Sequence, residues 1–332
     1  MTDAKTLSES AQSVVPCADL EAAIALYVEQ RGFRLDMIIP ADAPRVALVS
    51  RDGIRLRLEV STDHEAVAEA QPSPAGFVLR RTGDHDAWPV GRAGMQYRDL
   101  IPGRLGGRMI ASHIRIPDGG PVPDYVHYHM VGFQMIHCRR GWVRVVYEDQ
   151  GPAFVMHAGD CVLQPPTIRH RVLESSPGLE VIEVGSPAEH ETWRDHELAL
   201  PTPHRHPQRS FGGQRFVHHI AAEAAWQHAG DAGFEFRDTG IAAATDGIAS
   251  VRVLRALANT TAAPVRAARR NHGSDVVFLF VLEGQLQLSI DARGTHALRA
   301  DDACAVPAGA DYAIEALAPC EVLEVSMNFA AS

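Results

Sequence analysis

The chain has 332 residues, room for two or three domains of ordinary size, and a formal net charge of -10 from 31 Lys and Arg against 41 Asp and Glu. With 46% hydrophobic and 22% charged residues and no apolar run long enough to span a bilayer, the composition is that of a soluble globular protein without a membrane partner. No sustained Lys/Arg cluster offsets the acidic balance, which argues against nucleic acid as a partner.

The stretch Met1 to Ser8 carries neither the basic segment nor the apolar core of a signal peptide, which points to the cytoplasm. Five cysteines, Cys17, Cys138, Cys161, Cys304 and Cys320, are odd in number and lack CxxC pairing, so buried reduced thiols are expected. Seventeen histidines are the compositional oddity, and their placement decides the reading below.

Residues 1–62 read as strand, helix and three strands. Asp19 is an N-cap, Leu20, Ile24, Tyr27 and Val28 form an apolar stripe, and Gly32 ends the helix. Strands are predicted over 33–39, 45–50 and 54–60, the last two joined through Arg51-Asp52-Gly53. This α+β βαβββ order, with Asp19-Leu20-Glu21 opening the helix and Arg31-Gly32-Phe33 closing it, resembles one module of the glyoxalase/vicinal-oxygen-chelate superfamily. The resemblance makes Gln12 and Glu59 the matching metal-ligand positions. That family's site needs two modules and one is present, so the module is read as structural or dimer-forming, and a homodimer is expected. Residues 63–92 read as a linker with a short helix over 65–70 and a strand over 77–80.

From residue 93 the chain repeats itself. Gly94-Met95-Gln96-Tyr97-Arg98-Asp99 echoes Gly233-Phe234-Glu235-Phe236-Arg237-Asp238, and Ile110-Ala111-Ser112 echoes Ile248-Ala249-Ser250. Both copies are dense in short Val/Ile/Leu-rich runs bounded by Gly, Pro and Asp, the pattern of an antiparallel sandwich or barrel. The copies span 93–186 and 215–332, joined by an extended linker over 187–214. Short helices are expected over 189–197 and 221–228.

Within the first copy, His127 and His129 sit two apart, so a strand would point both imidazoles to one face. Gln134 lies five residues past His129, on the opposite face by strict alternation, unless Gly132 bends or bulges the strand. His127-Tyr128-His129, Gln134 and Gly141, followed by Gly159 to Pro165 and His170, match the two motifs of the cupin superfamily. The resemblance implies a mainly β protein of two cupin (jelly-roll) domains, with His127, His129, Gln134 and His170 as metal positions. Two residues depart from the pattern: Gln134 stands where a Glu is usual, and Thr167 replaces a glycine. A neutral Gln134 leaves a divalent ion's charge undiminished and removes a possible general base; whether it coordinates or only hydrogen-bonds a ligand stays open.

Counting back from Gly284 and Pro307, the second copy's ligand positions become Arg270, His272, Val277 and Tyr312, which cannot hold a transition metal. His204 and His206 repeat the His-x-His spacing but are flanked by Pro203 and Pro207 and read as linker. Tyr125, Arg144 and Cys138 are candidate substrate contacts; Tyr128, Arg169, His113 and Arg115 are weaker ones. The resemblance to ring-cleaving bicupins implies a mononuclear Fe(II) dioxygenase for a small anionic, metal-chelating substrate. Two other readings stand beside it: Lewis-acid isomerase or lyase chemistry with Mn, Ni or Zn, and a small-molecule sensor without turnover.

Overall fold

The computed structural model describes residues 13–61, 76–83, 87–228, 233–256, 265–266 and 270–329; Gln12 and the helix expected over 65–70 lie outside them. The fold is mainly β, as expected. Strand Ser13–Cys17, helix Leu20–Ala25 with a following π turn, and strands Arg34–Ile39, Val46–Arg51 and Ile54–Val60 form in the anticipated βαβββ order. Asp19 caps the helix by accepting the Ala22 N–H at 3.0 Å. Leu20 then packs on Ile38, Ala47, Val49 and Leu58, a small core on one face of the sheet.

This module is not freestanding. Strand Thr192–Arg194 pairs with Arg34–Ile39 on one side and with His127–His129 on the other, so the module and the first barrel share one ten-stranded sheet. The helix expected over 189–197 is therefore absent. Two sheet edges with unpaired backbone groups flank this segment, and an extended Thr-Trp-Arg run satisfies both.

Two barrels follow, each a sandwich of antiparallel sheets. In the first, strands His127–His129, His170–Ser175, Trp142–Tyr147 and Phe154–His157 face strands Cys161–Leu163, Phe133–Arg140, Leu179–Ser186, Ile110–Ile116 and Gln96–Asp99. Val145, Tyr147 and Met156 from one wall meet Ile114, Cys138 and Val181 from the other. The second barrel repeats this plan, with Leu279, Leu288, Ile314 and Val322 inside.

The barrels exchange strands. Val78–Arg80, from the segment read as linker, pairs with Ala303–Pro307 of the second barrel, and Val217–His219 pairs with Cys161–Leu163 of the first. Between them lies a continuous apolar seam in which Phe133, Met135 and Leu163 meet Val251, Phe278 and Leu323. The helix expected over 221–228 is a single 3-10 turn, Ala221–Glu223, followed by strand Gln227–His228. Pairing of that strand with Phe234–Asp238 overrides the helix propensity of the alanines. All five cysteines are unpaired, four of them buried. No helix among the described residues is long and apolar enough to cross a membrane.

Gly141 and Gly284 occupy equivalent hairpin turns, each at φ +77. A Cβ at Gly284 would lie 1.9 Å from the Pro319 carbonyl oxygen, and one at Gly141 would lie 2.3 Å from Ser176 Oγ. Gly284→Ala is expected to destabilise the protein by about 2 kcal/mol or more in urea titration, because left-handed strain adds to a backbone clash. Gly141→Ala is expected to cost less, since a side chain can yield where a carbonyl cannot.

Candidate metal centre and its cavity

His170 stands directly across from His127 in the ladder, and alternation turns His127 and His129 to the same inner face. One ligand atom from each of His127, His129 and His170 lies within 4.8 Å of the others. The three residues are 0%, 6% and 5% exposed.

The outer nitrogens of the rings are held. His127 Nδ1 contacts the Tyr125 carbonyl at 2.8 Å, His170 Nδ1 the Ile168 carbonyl at 3.0 Å, and His129 Nδ1 the Thr192 hydroxyl at 2.9 Å. A carbonyl only accepts, so His127 and His170 carry their proton on Nδ1 and leave Nε2 as a lone pair. The Nε2 of His127 is buried and finds no hydrogen-bond partner. An orphan of that kind costs about 1–3 kcal/mol, a cost a bound cation would remove. Burial, Arg92 and the neighbouring imidazoles push His127 and His129 well below the usual imidazole range, and burial takes His170 to about 4. All three are neutral at pH 7, as ligands must be. These residues fit a divalent ion.

Gln134 does not reach the cavity by a bulge. The strand ends after His129, and Phe133–Arg140 belongs to the opposite sheet, so Gln134 faces the interior from the far wall. Alternation across the break carries no information. Gly132 spans the crossing, its N–H donating to the Ser186 carbonyl at 2.8 Å. The Gln134 Oε1 is buried without a partner, and its amide hydrogen-bonds Glu183.

Glu183 alters the electrostatic expectation. This carboxyl on strand Leu179–Ser186 lines the cavity, so the ionisable group missing at Gln134 sits beside it. Burial raises its pKa to about 7, with Arg92 pulling it down. Arg92, from the turn that ends the segment read as linker, lines the same wall and is paired with Asp124. Gln164 approaches His170 Nε2 at 2.9 Å. The cavity is about 80 Å³, and Met95, Ile114, Val145, Met156 and Val181 supply much of its apolar lining.

Arg92 and Gln164 gave no signal in isolation. Glu183 had one: Gln134 pairs with Gly185 as Val277 pairs with Ser326, which sets Glu183 against Glu324 in the repeat. In the second barrel Glu324 pairs with Arg252 and Arg270. His272 has both ring nitrogens at carbonyls, Ser274 at 3.0 Å and Pro307 at 2.9 Å, and Val277 and Tyr312 fill the core. No ligand set forms there among the described residues.

The candidate substrate contacts fall elsewhere. Arg144 points outward and pairs with Glu174 at 3.1 Å, while its neighbours Val143 and Val145 line the cavity. Tyr125 contributes its carbonyl to His127 and packs its ring under Arg194. Cys138 is buried in the barrel core and is not among the residues lining the cavity, and burial raises its thiol to about 12. Tyr128 and Arg169 lie on the outer face, stacked at 4.3 Å. His113 bonds Glu180 at 3.0 Å, and Asp301 near it is taken by Arg139 at 2.9 Å, an ion-pair network at the barrel seam. His204 and His206 are exposed.

No protein-family model and no curated protein matches the sequence. Solved structures do match. The Pseudaminobacter salicylatoxidans salicylate 1,2-dioxygenase aligns at TM-score 0.56 and 16% identity over 80% of this chain and 89% of its own. The Lactobacillus farciminis oxalate decarboxylase formate complex aligns at 0.55 and 13% over 77% and 87%. The Bacillus subtilis oxalate decarboxylase, with Mn(II) centres, aligns at 0.53 and 11% over 72% and 74%. The chain has the bicupin fold. Identities this low establish architecture alone, and the chemistry of this bicupin has to be argued from its own residues.

Untagged protein is expected to purify with close to one equivalent of a divalent metal by elemental analysis. His127→Ala and His129→Ala should each lose it while keeping the wild-type circular dichroism spectrum; full retention in either would remove these residues from the site.

Proposed function

We propose that the first barrel is the active site of a mononuclear metal-dependent enzyme acting on a small anionic substrate, with Fe(II) and dioxygenase chemistry as the leading reading. The observation that carries it is a cluster of three neutral imidazoles, two of which line a cavity together with a titratable carboxyl and an ion-paired arginine. His127, His129 and His170 would hold the ion, with Gln134 Oε1 available as a fourth donor. Bound Fe(II) supplies the redox capacity that reaction with dioxygen needs. Similarity of fold to a salicylate 1,2-dioxygenase supports this by analogy only.

The chain's own groups do the rest. Asp124 holds the Arg92 guanidinium in place and offsets its charge, and the buried Arg92 Nε–H, without a partner, is left as a donor for an anionic substrate. The apolar lining excludes water and strengthens every electrostatic contact inside. Glu183, with a pKa of about 7, can take a proton from a substrate hydroxyl near neutral pH and return it later. This restores the base that Gln134 lacks.

A second reading uses the same ion as a Lewis acid, as in a lyase. Glu183 favours it too, because a carboxyl that changes protonation near pH 7 suits delivery of a proton to a carbanion. The Mn(II) oxalate decarboxylase among the structural neighbours fits this alternative. Oxygen-electrode assays of Fe(II)-loaded protein with hydroxybenzoates and catechols separate the two: uptake supports the dioxygenase, and turnover of a carboxylic acid without uptake supports the lyase.

In the dioxygenase reading, the step using Glu183 as base rises as pH passes through about 7, where the carboxyl ionises; in the lyase reading, proton delivery by Glu183 falls across the same range. Glu183→Gln is expected to lower kcat by about 10²–10⁴ and to abolish that limb of the pH profile. Gln134→Glu should shift the limb upward, since a second carboxylate beside Glu183 disfavours its ionisation. Stability carries an independent sign. The folded carboxyl keeps its proton up to about 7, whereas an unfolded one releases it near 4.5, so folded protein binds more protons across this window. Stability contributed at this site is lost as pH rises from 4.5 to 7. In metal-free protein the stability of Glu183→Gln relative to wild type should therefore rise between pH 5 and pH 8 in urea titration.

A further inference from the structure

The strand ladders set the side chains around the first barrel's cavity in order, from one end to the other. On the wall that carries the metal centre, His170 stands across from Tyr147, Val172 across from Val145, and Val143 across from Met156. On the facing wall Gln134 stands across from Gly185, Glu183 across from Ile136, Val181 across from Ile114, and Leu179 across from Ile116. Gln164 ties the two series together at the metal end, where its backbone N–H donates to the Gln134 carbonyl and its side chain approaches His170. Counting by two along each strand then sets Glu183 one level below the imidazoles, Val181 two levels and Leu179 three.

Charge is confined to the upper two levels. Asp124 pairs with the Arg92 guanidinium and accepts the Val172 N–H at 2.9 Å, which anchors the guanidinium at the level of Val172. Glu183 occupies the corresponding level of the other wall. Below it the cavity lining holds no charged side chain among the described residues. The polar group found there is the Tyr97 hydroxyl, on a residue that stands across from Ile114, and it is turned to the Met95 sulfur at 3.9 Å. The cavity is therefore amphipathic along its length, ionisable at the metal end and hydrocarbon-walled at the other.

We propose that the substrate taken by this cavity is a monoanion carrying one compact hydrocarbon group, its charged end at the metal centre and its apolar end against Val181, Ile114, Met156 and Leu179. The inference rests on the reading of this cavity as the substrate site and names the class of acid that enters it. A hydrocarbon group gains by leaving water for the lower walls, whereas a second carboxylate placed there would be buried with no cation or hydrogen-bond donor to meet it. Acids with a second charge at the far end are therefore excluded. The cavity's volume of about 80 Å³ limits the group to a short chain or a single ring. The class is the same whether the barrel runs an oxidation or a lyase reaction.

Calorimetric titration of the full-length, zinc-loaded protein with acetate, propionate and butyrate reads the apolar half without any reaction. Each added methylene should tighten binding about fourfold, with a negative heat-capacity change. Succinate, which is butyrate with a carboxylate in place of the methyl, should bind at least tenfold more weakly than butyrate. Benzoate separates the two forms of the hydrocarbon group: binding tighter than butyrate assigns a ring, weaker binding a short chain, and either supports the class. Ile116→Phe, which narrows the far end, should remove the gain from propionate to butyrate while metal content and acetate affinity stay unchanged. Affinity that does not rise from acetate to butyrate, or succinate binding as tightly as butyrate, overturns the inference and leaves the substrate-site reading standing. Absence of binding for every one of these anions, acetate included, overturns that reading and the inference with it.

Discussion

Bringing three imidazoles within 4.8 Å of one another in a buried barrel strips them of water, and every ring nitrogen must then find a partner inside the protein. On the outer side the barrel meets this demand with two backbone carbonyls and one hydroxyl, each supplied by a different segment. On the inner side it leaves His127 Nε2 unmatched. Much of the architecture serves that asymmetry. Strand Thr192–Arg194 is inserted between module and barrel, delivering Thr192 to His129. Asp124 accepts the N–H groups of Tyr125 and Val172 while pairing with Arg92, so one buried carboxylate ties the loop before His127, the strand after His170 and the cavity's cation together.

The two barrels set out the same interior carboxyl in opposite circumstances. Glu324 is neutralised by Arg252 and Arg270, the latter at the position equivalent to His127, and the result is a closed, structural ion-pair cluster. Glu183 has an amide for a close neighbour and Arg92 as the nearby cation, so burial dominates and its affinity for protons rises. A buried, paired carboxylate holds a fold in register, whereas a buried one near neutrality can exchange a proton with a ligand. The barrel without the imidazole set also lacks this freedom.

Much of this was legible in the sequence because it is local. The period of two in His127-Tyr128-His129, the glycine and proline framing before His170, and the repeat of Gly94 to Asp99 in Gly233 to Asp238 all survive without knowledge of long-range contacts. The βαβββ order of the first sixty residues was equally plain. What escaped depends on pairing between distant segments. Residues 189–197 and 221–228 have helical composition, yet sheet edges claim Thr192–Arg194 and Gln227–His228. Parity misled at Gln134, since counting across a change of sheet is meaningless. Arg92 reaches the cavity from a segment that looks like linker. Glu183 was accessible only by carrying the repeat through to Glu324. Arg144, by contrast, shows alternation working: flanked by two cavity-lining valines, it had to point away.

Imidazole ligation in the first barrel is the central claim. X-ray absorption spectroscopy of the zinc-substituted protein addresses it directly, because imidazole has a distinctive multiple-scattering pattern and sulfur a longer bond. The prediction is a first shell of nitrogen and oxygen at about 2.0–2.1 Å, with scattering from three imidazoles and none from sulfur. A shell containing sulfur at about 2.3 Å, or one fitted by a single imidazole, would contradict it.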